Sequence, residues 1–188
     1  MIILKNFKWV VLIIINVNAS AVFGQTTTEA TPSDFSHVSA VHLNDVSSIS
    51  NLTTALYAVI SGPAGPRDWS RFENLFAPGA YMGASQHTSD GKRFHLFSPR
   101  EYAKMNAPLF SKFSFTEKEL SRAVHKFGSI AQIFSSYEFT LSSPKPLTRR
   151  GINSLQMINE KGRWWILMLI WDEETADNVI PPNMLIPQ

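Results

Sequence analysis

Length, composition and charge limit what this chain can be. Its 188 residues, 44% hydrophobic and 17% charged, suffice for one compact domain with short extensions. The absence of cysteine excludes disulfides and thiolate metal sites. The net charge is only +2, and the Lys and Arg residues do not cluster as a nucleic-acid footprint requires. We therefore expect no nucleic-acid partner.

The first residues have the order of a secretion signal. Two lysines precede an apolar run from Trp9 to Ile15, and Gly24 is a small residue where a signal peptidase cleaves. A membrane anchor is the alternative, but Asn16 ends the run well short of the roughly 20 apolar residues that a spanning helix needs. The sequence predicts a signal peptide over residues 1–24, a secreted or periplasmic location, and no membrane contact after cleavage.

A leader and a domain follow the signal. Residues 25–43 are rich in Thr, Ser and Ala without apolar periodicity, which predicts a flexible leader. His37 and His42 lie in it, and no third ligand stands at a useful spacing, so no metal site is expected. The domain is predicted over residues 44–188.

Two helices are predicted at the start of the domain. Apolar residues at helical spacing indicate the first, with Asn44 or Asp45 as its cap. Asp68 is the predicted cap of a short second helix, in which Trp69 and Phe72 share an apolar face. The stripe of the first helix consists of Val46, Ile49, Leu52, Leu56, Val59 and Ile60.

A hairpin and a third helix come next. Residues 80–84 and 94–97 are predicted strands around a turn at Asp90-Gly91. Ser98 and Glu101 form the pattern of a capping box, with proline between them at the first helical position. The helix that they start is expected to break or bend near Pro108.

Four long strands then follow one another, separated by turn signals. Helices that lead and strands that follow indicate an α+β domain, in which a curved antiparallel sheet wraps around the N-terminal helices. The strands are predicted over residues 115–126, 129–141, 147–159 and 163–172.

The last two strands are predicted to form a hairpin with the three-residue loop 160–162. Asn159 would then oppose Arg163, and one face of the hairpin would be nearly all apolar. The other, mixed face would pair Arg150 with Asp172 and would form a homodimer, unless the C-terminal tail folds back over it. The apolar face consists of Gly151, Asn153, Leu155, Met157, Trp165, Leu167, Leu169 and Trp171, and the mixed face includes Ile152, Trp164, Ile166, Met168 and Ile170.

Several segments resemble exported members of the nuclear transport factor two-like, or SnoaL-like, superfamily. They are residues 57–69, 127–131, 135–138, 150–154 and 163–165, and the resemblance covers about residues 45–185. It implies a cone-shaped fold whose sheet and helices enclose a pocket, often in a dimer packed through sheet faces. The superfamily includes isomerases, dehydratases, cyclases and pocketed modules without catalysis, so the resemblance specifies a fold rather than an activity.

Candidate catalytic residues follow from the same resemblance. Dehydratases of the superfamily pair a histidine with an acid in the pocket, which draws attention to Glu119 and His125 on the predicted strand 115–126. The predicted register places Glu119 opposite Tyr137 and His125 opposite Ala131. Glu119 and His125 are roughly 20 Å apart along one strand and cannot pair with each other. Glu119, His125 and Tyr137 are each weak catalytic candidates, because a glutamate beside a tyrosine on a strand is usually a rim pair and a lone histidine near a turn is usually solvated.

The predicted pocket lies on the apolar face of the last hairpin. Asn153 carries an amide that must be hydrogen-bonded if it is buried, either to the protein or to a ligand. No cofactor and no metal are expected there. The predicted ligand-binding residues are Trp69, Phe72, Tyr137, Asn153, Trp165, Leu167, Leu169 and Trp171.

Two functions are compatible with these features. The first is a pocket module that binds a small, largely apolar molecule without catalysis. The alternative is a cofactor-independent lyase or isomerase that acts on a carbonyl or cyclic substrate with an acid or base in the pocket. A shifted pKa of Glu119 or His125 inside a closed cavity would favour the enzyme.

Overall fold

The computed structural model describes residues 40–88 and 91–186. The predicted signal peptide, most of the predicted leader and Asp90 lie outside these residues. The described part contains three α-helices, two short 3₁₀ helices and six strands. The α-helices are α1 (Ile49–Ile60), α2 (Trp69–Glu73) and α3 (Pro99–Lys112). The strands are β1 (Phe76–Thr88), β2 (Gly91–Phe97), β3 (Phe115–Phe127), β4 (Ile130–Leu141), β5 (Leu147–Glu160) and β6 (Arg163–Glu173).

The six strands form one sheet in the order β2-β1-β6-β5-β4-β3. All neighbours are antiparallel except β1 and β6, which run parallel. The predicted meander of four strands is thus extended at β6 by the earlier hairpin. The predicted α+β class is confirmed, and the helices pack on one side of a mixed, mostly antiparallel sheet.

The helix caps follow the predictions in two cases of three. Asp68 accepts a hydrogen bond from the backbone of α2 at 2.9 Å, and the capping box of Ser98 and Glu101 starts α3. The cap of α1 is Ser48 rather than Asn44 or Asp45. The predicted caps belong instead to a 3₁₀ helix, Ala40–Val46, which packs against α1 and β6 and includes the end of the predicted leader.

Proline residues interrupt neither α3 nor β1. The helix α3 continues through Pro108 to Lys112. The missing N–H of Pro108 leaves the carbonyl of Lys104 without its helical partner, but both residues are exposed, so water can supply the bond. The strand β1 begins at Phe76, and a register shift against β6 accommodates Pro78 and Gly79 within it.

The turn between β5 and β6 is one residue shorter than predicted. Lys161 and Gly162 both have positive φ, 52° and 83°, as a two-residue type I′ turn requires. Glu160 therefore pairs with Arg163, and the predicted pair of Asn159 with Arg163 is wrong. The backbone twist of this turn matches that of the strands, which explains why the shorter loop is preferred.

A bulge in β6 then shifts the register by one further residue. Met157 pairs with Ile166, whereas Asn153 pairs with Trp171, so Leu167 is the extra residue. Before the bulge, Ile166 faces the same side as Met157, and Trp165 faces the other side. The predicted places of Trp165 and Leu167 on the apolar face are therefore wrong, and Leu167 is 42% exposed.

The predicted pair of Arg150 with Asp172 is also wrong. Asp172 pairs with Ile152, and the guanidinium of Arg150 binds the carboxylate of Glu174 at 2.7 Å. The shorter turn and the bulge together shift the register by two residues from the prediction. Arg150 therefore lies opposite Glu174, just past the end of β6.

The core lies between the helices and one side of the sheet, which we name the inner face. The opposite side is the outer face. Stacked rings join α3 to β3 and β4 through Phe110, Phe115 and Phe139, with centroids 4.5 and 5.5 Å apart. Ile133 and Leu155 are fully buried on the same face. The burial of so much apolar and aromatic surface holds α1 and α3 against the sheet.

The C-terminal tail, residues 174–186, crosses the outer face. Ser136 and Ser121, which point outward from β4 and β3, donate hydrogen bonds to the carbonyls of Met184 and Ile186, each at 2.6 Å. The tail therefore covers part of the outer face, as the alternative to the homodimer predicted. None of the helices in residues 40–88 and 91–186 is long and apolar enough to cross a membrane.

Candidate functional site

Glu117 lies at the centre of a polar cluster on the inner face. It comes from β3, and the side-chain nitrogen of Asn153 on β5 lies 3.5 Å from its Oε1. Burial raises the pKa of Glu117 to about 8; the N–H of Asn153 acts in the opposite direction, and the negative charge of Glu173 adds to the rise. At neutral pH this carboxyl is therefore mostly protonated.

Three buried tyrosines surround Glu117. Tyr57 comes from α1, Tyr102 from α3 and Tyr137 from β4, and each is at most 8% exposed. Burial is the main cause that raises the pKa of each phenol, and the charge of Glu117 is the second. The phenols therefore keep their protons.

A chain of hydrogen bonds leads away from Glu117. Asn153 Nδ2 donates to the Tyr57 oxygen at 3.1 Å, and the Tyr57 and Ser135 hydroxyls are 2.6 Å apart. Ser135 in turn donates to Glu119 at 2.5 Å, and Arg122 Nε binds the same carboxylate at 3.0 Å. These polar groups of the inner face are thus joined into one network.

The two predicted acid or base candidates, Glu119 and His125, lie in different environments. Glu119 does oppose Tyr137, as predicted, but its carboxylate binds Arg122 and Ser135. His125 opposes Gln132 rather than Ala131, because the turn between β3 and β4 has two residues instead of three. His125 is exposed and lies eight residues beyond Glu117 on the same strand, roughly 25 Å away.

Glu117 itself was not among the predicted site residues. The alternation of β3 placed it on the same face as Glu119, and that was the available signal. Its burial depends on tyrosines from α1 and α3, which strand alternation does not reveal.

The predicted ligand-binding residues divide into two groups. Tyr137 and Asn153 lie beside Glu117, and Trp171 packs edge to face on Tyr102 at 6.2 Å. Phe72 stacks on Tyr102, Trp69 contacts Phe72, and Leu169 is buried in the core. Trp165 and Leu167 lie away from this cluster. Ligand contact by any of these residues stays a prediction.

A groove of about 370 Å³ lies between the outer face and the C-terminal tail, and we name it the tail groove. Its volume is in the range of small-molecule sites. It does not lie on the inner face, where the sequence predicted a cavity, and of the predicted ligand-binding residues it includes Trp171. Glu173 also lines it, and this residue acts electrostatically on Glu117. The apolar lining includes Phe94, Phe134, Ile152, Ile170, Ile180 and Pro181.

One side chain fastens the tail beside this groove. Glu174 accepts hydrogen bonds from the Arg150 guanidinium at 2.8 Å and from the backbone N–H of Ile180 at 3.0 Å. In the described ranges no three histidine or carboxylate side chains lie together as a metal site.

The helices and sheet together define an α+β protein with the nuclear transport factor two-like cone fold. No protein-family profile and no curated protein matches the chain. Solved structures do match it, but at low sequence identity.

Three of these structures illustrate the likeness. A nuclear transport factor two-like protein from Streptomyces avermitilis, assigned as a dehydratase, has a TM-score of 0.53 at 12% identity, over 70% of this chain and 97% of that one. A protein from Novosphingobium aromaticivorans, assigned as a scytalone dehydratase, has a TM-score of 0.53 at 8% identity, over 71% and 87%. A protein from Exiguobacterium sibiricum, assigned as a calcium/calmodulin-dependent kinase II association domain, has a TM-score of 0.53 at 13% identity, over 74% and 98%. At these identities the likeness concerns the fold alone.

Proposed function

We propose that this chain binds a small, largely apolar carbonyl compound and that Glu117 transfers a proton to or from it. The observation that carries the proposal is the half-buried Glu117 carboxyl, which lies beside the Asn153 amide and acts electrostatically on three buried tyrosines. The corresponding activity is that of a cofactor-independent isomerase or lyase.

The chemistry follows from the two forms of Glu117. The protonated carboxyl can donate a hydrogen bond to a carbonyl oxygen, as a buried acid does when its site keeps it neutral. The ionised form can take a proton from the carbon beside the carbonyl. Returning that proton to another carbon isomerises the substrate, and delivering it to a departing hydroxyl group dehydrates it. Both reactions leave the oxidation state of the substrate unchanged, so neither needs a redox cofactor.

The pKa of Glu117 suits this role. A proton-transfer group works best when its pKa lies near the operating pH, because both forms are then populated. A pKa of about 8 meets that condition at pH 7 to 8. Glu117, rather than Glu119 or His125, is thus the group on which the enzyme hypothesis now rests.

A pocket module without catalysis is the second candidate, and the tail groove favours it. The groove has apolar walls and a volume of about 370 Å³, and none of its lining residues is Glu117. A small apolar molecule bound there would lie on the other face of the sheet, and it would need no acid or base.

Proton exchange into deuterated water tests the first candidate. Cyclic ketones and β-hydroxy carbonyl compounds are incubated with the protein in D₂O, and loss of the proton signal beside the carbonyl is followed by NMR. We expect the wild type to accelerate exchange of at least one compound, and Glu117→Gln to lower the rate by about 100-fold or more.

Glu138→Gln is the matched control, since Glu138 is a neighbouring strand carboxylate that binds Lys118 at a partly exposed position. It should exchange protons as the wild type does. Equal rates for wild type and Glu117→Gln would refute the proposal. Binding of a compound without exchange would support the pocket module instead.

A further inference from the structure

An ion pair within β3 depends on a bulge. Glu119 and Arg122 are three residues apart, and in a regular strand such residues point to opposite faces. The register of β3 against β4 shifts at Leu120, which leaves one extra residue in β3. Arg122 therefore reaches the inner face opposite Ser135, where its Nε lies 3.0 and 3.1 Å from the two carboxylate oxygens of Glu119.

This ion pair sets the direction of the whole hydrogen-bond chain. With Arg122 bound to it, Glu119 accepts the single hydroxyl proton of Ser135. The Ser135 oxygen then accepts the phenol proton of Tyr57. The Tyr57 oxygen is left as an acceptor, and it takes an N–H of Asn153. Each hydroxyl has one proton, so the chain permits one direction only.

We infer that Ser135 and the ion pair of Glu119 with Arg122 are positioning residues for Glu117. They hold the amide of Asn153 with its N–H groups toward Glu117; the reversed amide would direct a carbonyl oxygen at the carboxylate. The importance of this arrangement for catalysis rests on the proposed function, whereas the arrangement itself does not.

The orientation of this amide matters because burial and the like charge of Glu173 on β6 both oppose the ionisation of Glu117. The other titratable groups that face Glu117 are Tyr57, Tyr102 and Tyr137, from α1, α3 and β4, and these phenols stay neutral. The N–H of Asn153 favours the ionised form. The same chain commits the proton of Tyr57 to Ser135, so Tyr57 does not donate to a ligand.

An NMR titration of the carboxyl carbon of Glu117, in protein labelled with ¹³C at glutamate, tests the inference without any substrate. Glu117→Gln assigns the signal. Ser135→Ala breaks the chain, so the amide is free to reverse and the midpoint of the titration should rise by about 0.5 to 1 pH unit. Arg122→Gln, which loosens the far end of the chain, should move the midpoint in the same direction.

Ser136→Ala is the matched control. Ser136 follows Ser135 directly and is as deeply buried, 2% against 0% exposed, but its hydroxyl binds the tail on the outer face. The midpoint of Ser136→Ala should equal that of the wild type. The inference is overturned if Ser135→Ala leaves the midpoint unchanged or if Ser136→Ala moves it as much. Should Ser135→Ala fail to fold, Arg122→Gln decides by the same criterion.

The titration and the exchange assay can fail separately. If Ser135→Ala raises the midpoint but the wild type exchanges no substrate proton, the positioning chain stands and the proposed proton transfer is wrong. If exchange depends on Glu117 but the midpoint does not respond to Ser135 or Arg122, the proposed function stands and the positioning role is wrong.

Discussion

The phenol ring of Tyr137 lies directly against the backbone of Gly151, its partner residue on β5. A methyl group added at Gly151 would lie 2.6 Å from Tyr137 Cζ and 2.5 Å from the carbonyl oxygen of Asp172. Glycine is thus required here by space. Because Tyr137 also faces Glu117, this contact links the packing of the sheet to the polar cluster.

Gly151→Ala should therefore destabilise the protein by about 1 to 3 kcal/mol, as overpacking of a core does. Urea unfolding measures the loss. Gly83→Ala is the control, because its added methyl group would also meet a ring, 2.6 Å from Phe94, but that side chain is 53% exposed and can move away. A loss at Gly151 no larger than the loss at Gly83 would contradict the account of Tyr137.

Glu117 should make stability fall as the pH rises. Its folded pKa of about 8 lies above the ordinary value of 4.5, so between these values the native state keeps a proton that the unfolded chain has released. The free energy of unfolding should then decrease by up to about 1.4 kcal/mol per pH unit from this group. In Glu117→Gln the side chain at this position is neutral at every pH, so the free energy of unfolding of this variant should fall less steeply as the pH rises.

Unfolding in urea at pH 5, 6, 7 and 8 measures both curves. Glu138→Gln again serves as the control and should keep the slope of the wild type. Parallel curves for wild type and Glu117→Gln would show that Glu117 ionises in the folded state as it does in the unfolded chain.

The strands β3 to β6 were predictable to within a residue, whereas their register was not, and the predicted strands 80–84 and 94–97 cover only the middle of β1 and the end of β2. Alternation of apolar residues and clear turn signals located β3 to β6. The two-residue turns and the bulges at Leu120 and Leu167 were not visible, because neither β3 nor β6 has a strict apolar alternation that an extra leucine would interrupt. Each bulge decides which side chains reach the inner face, including Arg122.

The candidate site was predicted in part for a related reason. Asn153, Tyr137 and Trp171 were recognised because they share the inner face of consecutive strands. Glu117 was missed because its environment comes from Tyr57 and Tyr102, on helices that strand alternation does not position. A carboxyl group becomes a candidate acid through what surrounds it, and that information is tertiary.

Export with cleavage after Gly24 stays a prediction, since the first residues lie outside the described part of the chain. Mass spectrometry of the exported protein should find Gln25 at its N-terminus. Replacing Ile13 by Asp should prevent export, because it interrupts the apolar run. An exported protein that retains Met1 would contradict the prediction.

The outer face supplies the last prediction, a homodimer. The tail occupies the part of this face around Ser136, but Tyr81, Phe94 and Leu96 on β1 and β2 remain 52 to 54% exposed. Apolar side chains gathered on one surface commonly meet a partner, and a second copy of the chain is the partner that we propose.

Light scattering at tens of micromolar, where a micromolar dimer is populated, should give the mass of two chains. Leu96→Glu should give one. Leu43→Glu is the matched control, because Leu43 is equally exposed at 54% but lies on the 3₁₀ helix before α1. A monomeric wild type would refute the dimer. If the full chain is monomeric but a chain truncated after Asp177 associates, the tail itself covers the apolar surface that would otherwise bind a second copy.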